Sequence, residues 1–170
     1  MMKRFFVVVL LAVLLAPAMY AEKPQTSPVE LSFLDFFYHP IDVAGIRIGI
    51  PYGKNDSVTG IDFGLWGKST YMYGIQCNLL ANIVTDRAGA FQLSIYNQSA
   101  SLIGAQAGLW NNAGGTVGIQ FGLLNLADEI EGFQIGLVNR ADLMHGFQAG
   151  LVNVIRSSPL PFCPLVNIGF

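Results

Sequence analysis

Charge is what this chain has least of: Asp, Glu, Lys and Arg together make up 12% of its 170 residues. The nine basic residues form no run or stripe, which excludes the electrostatic footprint of a nucleic-acid binder. Histidine is scarcer still. His39 precedes Pro40 and His145 precedes Gly146, and neither has a second His or a Cys at metal-ligand spacing. Asp128, Glu129 and Glu131 gather in one short stretch, as solvated charges on a loop tip do, and with Asp142 they match no EF-hand or nonapeptide calcium spacing. The expectation is therefore no catalytic residues, no metal and no cofactor. Two cysteines, Cys77 and Cys163, allow one disulfide in an oxidising compartment or two buried free thiols, and both readings stay open.

A long hydrophobic run is also missing, except at the start. Lys3 and Arg4 precede an apolar stretch from Phe5 to Leu15 and then Ala16-Pro17-Ala18. That order of charged, apolar and small residues reads as a secretory signal peptide over residues 1–21, cleaved after Ala18 or Ala21. The run falls short of the about 20 residues a spanning helix needs. No Cys follows the candidate cleavage sites, so a lipid anchor is not indicated. The expectation is an exported protein with one domain over residues 22–170, more acidic by two charges than the −2 of the whole chain.

What the chain does have is a period. Asn97, Asn111, Asn125, Asn139, Asn153 and Asn167 follow one another every fourteen residues. Around them runs Gly-x-Gln-x-Gly-Leu-x-Asn, cleanest at Gly132-Phe-Gln-Ile-Gly-Leu-Val-Asn139. Copies start near residues 45, 60, 74, 90, 104, 118, 132, 146 and 160, and Val29 to Phe37 adds a strand without the motif. A fixed period means one structural unit repeated. Positions two, four and six of each copy are apolar, and one, three and five are Gly, Gln and Gly. Alternation with period two is the strand signature, and two glycines per eight residues would penalise a helix. Turns are expected at Asn112–Gly115, Ala127–Glu129 and Ala141–Leu143.

The fold class expected is all-β, and two architectures fit. The first is a small, about ten-stranded up-and-down β-barrel of outer-membrane type, with the Gly/Gln/Gly face lining the lumen. An even strand count, charge-free strand cores, the terminal Phe170 and the strand-end aromatics Trp66, Tyr96 and Trp110 favour it. The second is a β-solenoid of fourteen-residue coils, in which Gln92, Gln106, Gln120, Gln134 and Gln148 and the Asn series stack on their own copies as ladders. It explains the Asn spacing better, but leaves Trp110, Leu124, Val138 and Val152 in water. By strict parity each Asn shares a face with the apolar column.

From Gly60 to Phe170 the copies resemble a bacterial surface-repeat family of two-membrane bacteria, built of tandem fourteen-residue Gly-x-Gln-x-Gly-Leu-x-Asn units. The resemblance implies an exported protein of the outer membrane or cell surface and supplies no catalytic residues. Arg47 and Asp62 at the Gln position, and Pro51 and Pro164 inside strands, depart from the pattern. The expected function is non-catalytic: a barrel with a structural or surface-interaction role, or a displayed solenoid acting as a binding module. The partners expected are outer-membrane lipid and the barrel-assembly machinery, with a further surface partner and no nucleic acid.

Overall fold

Fourteen extended residues reach roughly 46–50 Å, yet Nδ2 of Asn125 lies 2.7 Å from Oδ1 of Asn139. The chain must therefore return to stand directly on itself once per repeat. A computed structural model describes residues 25–33 and 41–170; the leader-like segment 1–21, residues 34–37 and His39 lie outside the described residues. Among those described, the fold is all-β in one open sheet: β1 (Gln25–Phe33), β2 (Ile41–Ile155) and β3 (Phe162–Gly169), in the order β1-β2-β3. β2 keeps strand conformation for 115 residues while bending through eight stacked copies. β1 joins its first copy in parallel, with Val29 beside Ile46 and Leu31 beside Ile48. β3 closes the last copy antiparallel, with Ile168 beside Phe147.

The sheet does not close, so the barrel expectation is not met, and with it goes the reason to expect barrel-assembly machinery as a partner. A barrel would also pair strands of alternating direction. Here position meets identical position fourteen residues on, from Asn97 to Asn111 and from Gln106 to Gln120.

Each copy has two sides. In the copy from Gly132, the first side turns Gln134 inward and Phe133, Ile135 and Leu137 outward. Leu137 and Val138 then both point outward, which breaks the alternation and swings Asn139 inside. The Asn residues therefore do not share a face with the apolar column, as strict parity predicts. The second side buries Ala141 and Met144 and exposes Leu143 and His145. The stretches expected as turns belong to this second side, with Ala113, Ala127 and Ala141 buried. The interior is a single layer: amides under the first side, and small and apolar residues such as Leu102, Ile130 and Met144 under the second.

Glycine is what lets the copies approach. Gly132 has φ of 142°, a conformation L side chains rarely adopt, and a Cβ there would run into the carbonyl of Gly118. At Gly136 a Cβ would strike both the Gly122 carbonyl and the Asn125 amide. Pro164 falls where β3 loses register between Gly150 and Asn153, so the irregularity absorbs its missing donor. Leu165 beside it takes φ of 70°. Phe170 is 98% exposed at the end of the cap and packs into no closing strand.

Replacing Asn125 by Ala should cost about 2–4 kcal/mol, because in a buried column it takes from Asn111 Nδ2 its Asn acceptor and from Asn139 Oδ1 and the Ile135 carbonyl their Asn donor. Asn153→Ala should cost roughly half as much, since its upper partner is the carbonyl of half-exposed Cys163, which water can reach. Urea unfolding midpoints of the two variants test the difference; equal losses would contradict a stacked column.

Candidate docking face

The polar residues that stand out in the sequence face inward. Gln92, Gln106, Gln120, Gln134, Gln148, Asn97, Asn111, Asn125, Asn139 and Asn153 are all fully buried, and Asn167 nearly so. Two amide ladders result. In one, each Gln donates from Nε2 to Oε1 of the Gln one copy earlier, as from Gln134 to Gln120 at 2.8 Å. Its second proton goes across the coil to a backbone carbonyl, that of Arg140 for Gln134. In the other, each Asn donates from Nδ2 to the Asn one copy later and to a carbonyl between them. These side chains are shut off from any partner, so their role is structural.

The ladders also explain the departures near the N-terminus. Gln76 donates to Oδ2 of Asp62 at 3.0 Å, so a carboxylate ends the Gln series. Arg47, fully buried one copy earlier, grips both Asp62 oxygens and donates to Asn55. The pair fills the space an Asn would take, because a Cβ on Gly67 would meet both side chains. Asn82 starts the Asn ladder by donating to Asn97, although Ala81 holds its place in the motif. The two-residue insertion after this copy conceals Asn82 from a scan at fixed spacing.

With the amides inside, the apolar positions form the outer surface of the first side. Positions two, four, six and seven are apolar in all eight copies, from Ile46 to Val152, without a charge or an amide among them. Most are exposed, Leu109 by 53% and Phe121 by 59%. T-shaped rings brace neighbouring copies, Tyr52 on Trp66 and Tyr96 on Trp110, with centroids 6.1 and 5.6 Å apart. Trp110 and Val138 do stand in water, as the solenoid alternative requires. A groove of about 580 Å³ runs over Gly64, Ser94 and Gly108 between Leu93 and the Leu79–Ile95–Leu109 column. Cys77 lies in it as a free thiol, its pKa raised by burial and then by the Asp62 carboxylate. Cys163 sits about six copies further along, near 29 Å away at the spacing of stacked strands, far beyond disulfide reach.

The opposite side is wet. Asp142 accepts from Arg140 at 2.9 Å and meets Arg156 at 3.5 Å, and these arginines hold its carboxyl below the usual range, the Arg140 hydrogen bond foremost. Asp128, Glu129, Glu131 and His145 are exposed there. Among the described residues no three His, Cys, Asp or Glu side chains stand close enough to hold a metal. The apolar face was legible in the sequence as a strict column in every copy. Comparison of the chain with protein-family models, curated proteins and solved structures finds no match.

Asp62→Asn should cost about 3–5 kcal/mol by leaving the Arg47 guanidinium buried without its counter-charge. The double change Arg47→Gln/Asp62→Gln extends the ladder instead and should recover most of that loss. Urea midpoints of the single and double variants decide it; a double variant as weak as the single would place the cost elsewhere.

Proposed function

We propose that the chain is an exported β-solenoid of fourteen-residue coils that works, without catalysis, as a docking module at the outer membrane or cell surface. The observation that carries this reading is the apolar face: eight copies present four apolar positions each to the outside, and the interior has no room for them. Soluble monomers rarely expose contiguous apolar patches beyond a few hundred Å² without a partner to cover them. The signal-peptide pattern over residues 1–21 and the likeness of the motif to surface-repeat proteins support export and an envelope location. The charged second side would then keep the molecule hydrated away from the docking surface. The binding surface is then the apolar columns, since the Gln side chains are enclosed.

The test is made in a two-membrane bacterium expressing the full chain. The protein is expected in the envelope or surface fraction, with an N-terminus at Met19 or Glu22 and gel migration unchanged by heating. Sizing of the gently extracted material should show a species larger than one chain, reduced to monomer size by Leu93→Lys/Phe121→Lys. Cytoplasmic retention with Met1 intact would sink the export claim, and a monomer indifferent to both lysines would sink docking.

A further inference from the structure

The geometry points to a second copy of this chain as the occupant of the apolar face, packed face to face with its coil axis antiparallel; this rests on the docking reading above. Area is the first ground. β1, the eight copies of β2 and β3 form ten rows, with Val29, Leu31, Val166 and Ile168 extending the face at its ends. At ~4.8 Å per row and ~3.3 Å per residue, the face covers roughly 800 Å². That is one partner's share of a standard stable interface. Its lack of charge resembles the interfaces of obligate homodimers more than those of transient contacts.

Side-chain size is the second ground, and it selects the direction. The face has three alanines, Ala105, Ala107 and Ala149, among large residues. A two-fold axis along the coils would set each row against itself, so Ala107 would face Ala107 and Ala149 would face Ala149, leaving voids. A two-fold axis across the coils, between the copies from Ala90 and Gly104, keeps each column on itself and reverses the rows. Ala105 then meets Phe91, Ala107 meets Leu93, and Ala149 meets Ile48. Every small residue stands opposite a large one, and a two-fold contact makes each of these fits twice. The central rows are those least displaced by the ~30° rotation of packed sheets.

Charge disfavours an anionic lipid surface as the occupant. Residues 82–156 have five acidic against three basic side chains, and an anionic headgroup layer attracts polybasic segments. Face-to-face pairing leaves these charges on the two outer sides, in water.

Sedimentation of the purified chain tests the proposal. A dimer is expected, with its dissociation constant raised at least about 100-fold by Leu93→Lys, which puts a charge into the apolar seam. Leu143→Lys on the wet side should change nothing. Circular dichroism checks folding, and Leu109→Lys replaces Leu93→Lys if the latter misfolds. A bismaleimide spanning about 10 Å, the gap between packed sheets, reads the direction. Cys163→Ser chains, which keep Cys77, are mixed with Phe121→Cys chains lacking both native cysteines. Antiparallel packing links the two kinds of chain only in the mixture. Linking of Cys77 to Cys77 in the first chain alone would overturn that direction. A monomer at every concentration, or a dimer indifferent to Leu93→Lys and Leu109→Lys, overturns the paired copy. A monomer that floats with phosphatidylcholine vesicles assigns the face to lipid and leaves docking intact. A monomer that neither floats nor changes size in the cell when lysines are introduced removes the docking reading as well.

Discussion

On the first side of this coil, an enclosed Gln or Asn of the repeat has the same residue above it and below it, one strand spacing away. That constraint decides what the interior can contain. An amide both donates and accepts, so a column of Gln or Asn satisfies itself, each Nδ2 or Nε2 using one proton on its neighbour and one on the backbone. A column of carboxylates would repel, and a column of ammonium groups would find no acceptors. The fourteen-residue spacing and the glycines follow from keeping these amides in register. Glycine at the Gly136 position leaves volume for the Asn amide below it, and at the Gly132 position it allows the bend that brings the next copy over the last.

A self-satisfying column has a problem at its ends, and the two ladders solve it differently. The Gln ladder donates toward the N-terminus and needs an acceptor there; Asp62 supplies one, and Arg47 compensates its charge. The Asn ladder donates toward the C-terminus, where the Cys163 carbonyl of β3 receives Asn153. The opposed directions leave the amide dipoles of the two columns largely cancelling, so neither end of the stack accumulates charge of one sign. At the C-terminal end the Gln ladder leaves Gln148 Oε1 without a donor, while Asn167, its partner in register, leaves Nδ2 without an acceptor. This end is less completely terminated than the one closed by the ion pair. Substitutions at Asp62 and at Asn167 are therefore not equivalent, although both lie one step beyond a ladder.

Part of this was legible from residues alone. The Gly132 to Asn139 motif establishes strand conformation and period, because alternation survives along one flat side. Alternation fails at a corner. Leu137 and Val138 both face out, and from there a parity count puts Asn139 on the wrong side. The choice between barrel and stacked coil was illegible for a related reason: both put small and amide residues on one side of a strand and apolar residues on the other. Only contact between position and identical position separates them, and that is a property of neighbours in space. Arg47 and Asp62 looked like worn copies of the motif, since their meaning depends on standing where a ladder ends.

The outward apolar columns differ from these features in kind, because the coil does not need them. Stacking is secured by the amides, by the glycine approaches and by the apolar column on the second side, with Met72, Leu102, Ile130 and Met144 fully enclosed. Polar residues at the positions of Ile119, Phe121 and Leu123 would leave those contacts untouched and improve solubility. β-propensity explains a preference for branched and aromatic residues on a pleated surface, but it admits Thr as readily as Ile, and no Thr occupies any outward position of the face. The second side, built on the same backbone, accepts Asp, Glu and Arg outside, so the exclusion of charge from the first side is not imposed by strand geometry. Neither the stack nor strand geometry accounts for the outward apolar residues, and that is the ground on which the docking proposal stands.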